Sequence, residues 1–191
     1  DSITLSETPQ QPPEEALQSD WNFYFGQLHA HTNISDGLGS VTEAFAYARQ
    51  VENLDFFAIT DHSNSFDNDL AGEIRTDASS VSESWLRGKA AARDATTSDF
   101  VGLFGYEMTW PDDRNLGHIV TFATPGFLSR NREGMENLKD YYEALTTVPG
   151  SVSQFCHPGP ELGDFENFTH RTAAYDKAMP LLEIGGEEGL D

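Results

Sequence analysis

The sequence predicts an α/β fold in which strands and helices alternate along the chain, as they do in a parallel sheet or barrel. Two observations lead to this prediction. Short apolar segments, such as residues 54–60 and 117–123, have the length and composition of buried strands, and helical segments lie between them. Hydrophobic residues also make up 38% of the 191-residue chain, which is enough for the core of one domain.

The N-terminal half contains the clearest boundaries. Residues 1–20 are acidic and proline-rich with few apolar side chains, which predicts a tail or linker before a domain at residues 21–191. The aromatic segment 22–30 is predicted to be the first strand. Ser40 with Glu43 three residues later is a capping-box pattern and predicts a helix to about residue 52. Residues 54–60 then predict a second strand.

The remaining elements follow the same alternation. The polar segment 61–77 is predicted to be a long loop and residues 79–94 a second helix. Strands are predicted at residues 100–108 and 117–123, joined by a polar loop. A third helix is predicted at residues 133–146, and two further strands at 151–156 and 180–184.

Composition limits the partners of this chain. It has 32 acidic and 11 basic residues, a formal net charge of −21, so most of its surface repels nucleic-acid duplexes and anionic membranes. No apolar run approaches the roughly 20 residues that span a bilayer. The single cysteine rules out an internal disulfide and a cysteine-rich zinc module. Both a cytoplasmic and a secreted location remain open, as does the oligomeric state.

Histidines are concentrated at the ends of predicted strands. The chain has six histidines, and five of them lie at such positions: His29, His31, His62, His118 and His157. His29 and His31 are separated by one residue, so both side chains leave the same face of a strand. Since functional sites in α/β folds are built at strand ends, we expect these imidazoles to converge on a metal site.

Carboxylates accompany these histidines. Glu107 ends the predicted strand 100–108, and Asp36 lies before Gly37 in a turn that can bring its carboxylate back toward the site. The alternative for Asp36 is a turn-forming residue. Asp61 precedes His62 and is predicted to orient a ligand or cap the loop rather than bind metal. Mixed imidazole and carboxylate ligands favour Zn, Mn or Fe.

Other candidate residues have weaker support. Cys156 alternates with His157 along its strand and is predicted to face the packed interior. His170 lies in a polar segment and is predicted to be a surface residue. Four arginines lie in predicted loops and are candidate phosphate contacts, with an ordinary surface role as the alternative: Arg75, Arg114, Arg130 and Arg132.

The succession GQLHAHTNISDG, LDFFAITDH, GYEMTW, GHIVTF and QFCHPG resembles the PHP (polymerase and histidinol phosphatase) superfamily over residues 22–185. The resemblance implies a distorted (β/α)7 TIM-like barrel that hydrolyses a small phosphorylated substrate through metal-activated water. It further implies two or three divalent ions, Zn, Mn or Fe, with Glu107, His62 and Asp36 as catalytic residues. The implied ligand sets are His29, His31 and Glu107 for the first ion, Glu107, His118 and His157 for the second, and Asp36 and His62 for the third.

One part of the family pattern is missing from this sequence. The superfamily normally carries an Asp-x-His near its C-terminus, and none follows Glu183 here. Either the chain is a fragment of a longer protein or its first and third ions are poorly held. We expect the former, with a barrel incomplete at the C-terminus and a chain that is weakly active or inactive alone. Two other functions stay open: a non-catalytic metal-binding module of a larger protein, and a PHP-like hydrolase of non-phosphate esters.

Overall fold

The computed structural model describes residues 21–69, 81–111, 114, 116–159 and 163–184. Seven strands and four α-helices lie within these residues, with 3-10 turns at Ser63–Asp69 and Phe165–Phe168. In chain order the strands and helices are β1 (Gly26–Gln27), α1 (Val41–Gln50), β2 (Phe56–Ile59), α2 (Glu83–Ala95), β3 (Val101–Phe104), β4 (Tyr106–Thr109), β5 (His118–Phe122), α3 (Leu138–Thr146), β6 (Val152–Cys156), α4 (Ala173–Ala178) and β7 (Leu181–Leu182). The predicted tail, residues 1–20, lies outside the described residues.

The strands form two sheets, of which only one is wholly parallel. The first sheet has the order β1-β2-β3 with parallel neighbours. In the second, of order β4-β5-β6-β7, β5 runs antiparallel to β4 and β6, and β7 is parallel to β6. The expectation of parallel strands throughout is therefore wrong for this sheet. The connection from β4 to β5 is short, and a short connection joins antiparallel neighbours whereas a parallel crossover needs a dozen or more residues.

The two sheets meet at Gly105, which divides the predicted strand 100–108 into β3 and β4. A Cβ atom at this position would lie 2.3 Å from the carbonyl oxygen of Thr121, so only glycine allows the close approach. The chain beyond β2 continues alongside both strands, because the Gly105 N–H donates to Ile59 O and the Glu107 N–H donates to Asp61 O. This pairing places His62 directly beside Glu107.

Side-chain caps fix the helix boundaries. The capping box of Ser40 and Glu43 is present as predicted, and Ser82 caps α2. Helix α3 begins after its N-cap Asn137, later than the predicted residue 133, because Gly134 has a φ of +82° that a helix does not contain. The short helix α4, capped by Thr172, was not predicted. None of the helices in the described ranges is long and apolar enough to cross a membrane.

The core lies mainly between the helices and the sheets. Trp85 of α2 is fully buried against Phe104 and Phe66, and Gly88 lets α2 approach Phe104 closely. Cys156 belongs to a second, smaller apolar cluster, which confirms its predicted position in the packed interior. The two clusters hold the strands whose ends carry the predicted metal ligands.

Candidate metal centre

A buried carboxylate organises the loop that carries the first ligands. Asp61 Oδ1 accepts hydrogen bonds from the N–H groups of Thr32 (2.8 Å) and Ser35 (3.1 Å) and from the Ser35 hydroxyl (2.6 Å). Its Oδ2 accepts from the Thr32 hydroxyl at 2.7 Å. Both oxygens are thus occupied by the loop that connects His31 with Asp36. Asp61 therefore has the local structural role predicted for it.

Glu107 lies at the centre of the histidine cluster and is fully buried, with a side-chain exposure of 0%. Its Oε1 atom lies 3.2 Å from His29 Nε2, 3.2 Å from His118 Nδ1 and 3.5 Å from His157 Nε2. These imidazoles come from β5 and from the segments after β1 and β6. One carboxylate oxygen thus faces ring nitrogens from three parts of the chain.

The second oxygen of Glu107 faces a different pair of imidazoles. Oε2 lies 3.3 Å from His31 Nε2 and 2.6 Å from His62 Nδ1. The Thr109 hydroxyl completes this side, 2.6 Å from His62 Nδ1 and 3.3 Å from Glu107 Oε2. The two oxygens of Glu107 together therefore face ring nitrogens of all five histidines, so this carboxylate can contact more than one ion.

Asp36 lies at the exposed side of the cluster. Its side chain is 66% exposed, and its oxygens lie 2.7 Å from His31 Nδ1 and 3.4 Å from His62 Nε2. The Asp36 carboxylate thus links the two imidazoles that face Glu107 Oε2.

Antiparallel strand β5 explains the position of His118. His118 begins its strand, whereas the other histidines follow theirs. Because β5 runs opposite to its neighbours, its first residue pairs with Thr109 at the end of β4 and with Cys156 at the end of β6. All five predicted histidines therefore reach the same edge.

Among the described residues, three groups of side chains consist only of predicted ligands, and within each group the ligand atoms lie within 4.8 Å of one another. They are His29, His31 and Glu107; Glu107, His118 and His157; and His31, Asp36 and His62. These groups reproduce the sets implied by the resemblance, with His31 joining the third. The seven side chains also fit divalent cations in chemistry, since imidazole and carboxylate are the usual ligands of Zn and related metals.

Two buried polar atoms at the centre lack hydrogen-bond partners in the described part of the chain, which is consistent with a cation-binding site. Within the described residues, buried Glu107 Oε1 and His157 Nδ1 have no hydrogen-bond partner of normal geometry. Buried polar atoms are nearly always satisfied, so each exception calls for an explanation. A cation beside Glu107 Oε1 would supply the missing partner of that oxygen.

The charges at the centre are strongly coupled. Burial opposes ionisation of Glu107, but the surrounding imidazoles of His118, His157, His29 and His31 outweigh it and hold the pKa of Glu107 well below its usual range. Burial likewise opposes a charged His31 imidazole, yet Glu107 and Asp36 raise its pKa to about 9. Glu107 thus remains a carboxylate, and a proton on His31 must leave before that ring can bind an ion.

Several other predicted candidates lie elsewhere. His170 pairs with Glu166 and is partly exposed, as predicted for a surface residue. The Arg114 guanidinium donates to the Glu136 carbonyl at 2.6 Å, and Arg75 lies outside the described residues. Arg130 Nη1, in contrast, donates to the carbonyl oxygen of Thr109 at 3.3 Å, immediately beside the centre.

Two residues near the centre were missed in the sequence. Thr109 contacts His62, and Glu183 Oε2 lies 3.3 Å from His29 Nδ1. Glu183 directly follows β7, so the strand-end position that identified Glu107 could also have identified Glu183.

Comparison with known proteins gives a fold-level match. No model of a known protein family matches this chain. No curated protein matches it either. Among solved structures, it is similar to a two-domain protein from Bacteroides vulgatus ATCC 8482 containing a predicted PHP-like metal-dependent phosphoesterase, with 18% identity and a TM-score of 0.55. The match covers 85% of this chain and 44% of that chain, so this chain spans less than half of the other protein's length.

Proposed function

We propose that this chain is a metal-dependent hydrolase of the PHP type that cleaves phosphoesters of small molecules or nucleotides. The observation that carries the proposal is the buried Glu107 carboxylate, which presents one oxygen to three imidazoles and the other oxygen to two. The charge of a buried carboxylate needs compensating partners, and divalent cations held between Glu107 and the surrounding imidazoles would supply them.

The ligand assignment follows the three groups of side chains. We assign His29, His31 and Glu107 to one ion and Glu107, His118 and His157 to a second, so that Glu107 bridges them. Asp36 and His62 form the more exposed third group; His31 lies beside them, but its metal-binding nitrogen is already assigned to the first ion. Divalent ions bound there would lower the pKa of water and neutralise negative charge on a phosphoester.

The protein's own groups would orient the reactants. Thr109 holds His62 through its hydroxyl, and Asp61 holds the loop that carries His31 and Asp36. Arg130, anchored on the Thr109 carbonyl, is the loop arginine that we propose as a contact for substrate phosphate. These contacts favour a fixed geometry, on which hydrolysis by in-line attack depends.

The size and charge of the substrate follow from access and from the acidic surface. The ligand imidazoles are 12–22% exposed, so the centre opens to solvent on one side. The net charge of −21 disfavours a long polyanion that must contact a wide surface. A small phosphorylated compound needs only the local positive potential of the centre.

We also propose that the seven strands belong to a distorted barrel of the PHP type. The chain from β2 to His62 runs beside β3 and then beside Glu107 of β4, which supports a continuous arrangement of the two sheets around Gly105. At the other side, Glu183 after β7 contacts His29 after β1. The fold-level similarity to the Bacteroides vulgatus protein supports this proposal.

The test is hydrolysis by protein loaded with Mn(II) or Zn(II), assayed with nitrophenyl phosphate, its diester, nitrophenyl acetate and a nucleotide panel. We expect phosphate-ester turnover that a chelator abolishes and that the Glu107→Gln variant lacks. Bound metal without turnover of any ester, both by this chain and by a form extended beyond Asp191, would instead indicate a non-catalytic metal module. Turnover of the acetate alone would indicate a hydrolase of other esters.

A further inference from the structure

Glu183 is a carboxylate that the proposed ligand sets leave unused. It follows β7, and its N–H donates to the carbonyl oxygen of Phe155 in β6 at 2.9 Å. The side chain is 29% exposed, so it is partly shielded from water. Its backbone is therefore fixed beside β6, and the carboxylate is held at the edge where the histidines converge.

The Glu183 carboxylate contacts two of the candidate ligand residues at once. Its Oε2 atom lies 3.3 Å from His29 Nδ1 and accepts a hydrogen bond from the backbone N–H of His157 at 3.1 Å. His29 belongs to the first candidate group and His157 to the second. Glu183 Oε2, at the end of β7, thus contacts one candidate ligand residue from each of these two groups.

His29 uses its two ring nitrogens in opposite directions. Nε2 lies 3.2 Å from Glu107 Oε1, while Nδ1 faces Glu183. His31 repeats this pattern, with Nε2 toward Glu107 at 3.3 Å and Nδ1 toward Asp36 at 2.7 Å. A carboxylate on the far nitrogen keeps the proton there and leaves the near nitrogen free to bind metal.

A direct metal-binding role for Glu183 is the competing explanation. Ligand atoms of His29, Cys156 and Glu183 also lie within 4.8 Å of one another. However, a neutral imidazole has only one unprotonated nitrogen. If His29 binds an ion beside Glu107 through Nε2, its Nδ1 carries the proton and donates toward Glu183.

We infer that Glu183 is a positioning residue of the metal centre, which fixes the ring orientation of His29 and the backbone of His157 without binding an ion itself. This inference rests on the proposed metal-dependent function. It predicts that loss of the carboxylate weakens metal binding and changes the ligand geometry but leaves the number of bound ions unchanged.

The experiment compares wild type with Glu183→Gln and Glu183→Ala, using Co(II) as the probe. Calorimetry gives the dissociation constant and stoichiometry, and the visible absorption spectrum of bound Co(II) reports its ligand geometry. Circular dichroism of the metal-free proteins checks that each variant folds. Glu166→Gln is the matched control, since it removes a carboxylate from an imidazole pair outside the centre, Glu166 with His170.

We expect Glu183→Ala to weaken Co(II) binding by about 10–100-fold, the range typical of such carboxylates, and to shift the absorption bands at unchanged stoichiometry. Glu183→Gln, which retains an acceptor for both hydrogen bonds, should fall between Glu183→Ala and wild type. The control should match wild type. If Glu183→Ala does not fold, the Gln variant alone decides, by its affinity and spectrum.

The contrary outcomes separate the inference from the function on which it rests. Wild-type affinity and an unchanged spectrum in both Glu183 variants would overturn the positioning role while leaving the metal centre intact. A loss of one bound equivalent would show that Glu183 is itself a ligand and would likewise overturn it. Absence of Co(II) binding by wild type would overturn the proposed function as well.

Discussion

Replacing Glu107 by glutamine tests the bridging role with little change in shape. The variant keeps the side-chain volume but removes the charge that five imidazole nitrogens approach at 2.6–3.5 Å. Removing one partner from a buried ionic arrangement costs about 3–5 kcal/mol. At about 1.4 kcal/mol per factor of ten, metal dissociation constants should rise by on the order of a hundredfold to a few thousandfold.

His62→Ala provides the comparison, because His62 belongs to only one of the three candidate groups, whereas Glu107 belongs to two. Both variants and wild type should be reconstituted with Mn(II), passed through a desalting column and analysed for bound metal. We expect Glu107→Gln to lose more metal than His62→Ala, while the Glu166→Gln control retains the wild-type content. Equal losses in Glu107→Gln and His62→Ala would refute the bridging argument.

Three further predictions concern pH, packing and the cysteine. The pKa of His31 is raised from 6.5 to about 9, so protonated His31 stabilises the folded, metal-free protein. This contribution to the free energy of unfolding is complete below about pH 6.5 and is lost as the pH rises through 9. Metal affinity should therefore increase from pH 6 to pH 9, by up to about tenfold per unit for each displaced proton, and a flat titration by calorimetry would contradict this. Gly88→Ala would place a Cβ 1.9 Å from the Phe104 ring, so thermal denaturation should show a loss of about 1–3 kcal/mol in the free energy of unfolding. The control Gly159→Ala, whose Cβ meets nothing within 4 Å, should melt close to wild type. Burial raises the pKa of the Cys156 thiol well above its usual range, so the native protein should react with a disulfide reagent only after denaturant is added; rapid reaction without denaturant would contradict its buried position.

The positions of the main elements were predictable because they depend on local chemistry. The capping box of Ser40 and Glu43 is a contact within one turn, and the apolar segment before His62 is long enough for one strand. The division at Gly105 was not predictable, since it depends on a close approach to Thr121 in the neighbouring strand. Strand direction in the second sheet was missed for a similar reason, because it depends on pairing between strands.

The residues of the candidate site were predictable where they lie at strand ends, because strand ends meet at one edge of the sheet. That rule brought together His29, His62 and Glu107 before any distance was known. It missed Glu183, whose contact with His29 joins residues 154 positions apart in the chain. Glu183 was placed inside the predicted strand 180–184, whereas β7 ends at Leu182, so its strand-end position was not recognised.

The central claim is that the histidines around Glu107 bind transition metal, and elemental analysis tests it most directly. The chain should be purified without chelators, and its content of Zn, Mn, Fe, Co and Ni measured against protein concentration. The account predicts at least one equivalent of these metals in the wild-type chain, and a marked loss in Glu107→Gln. Absence of all five metals from the wild type, even after reconstitution with each, would contradict it.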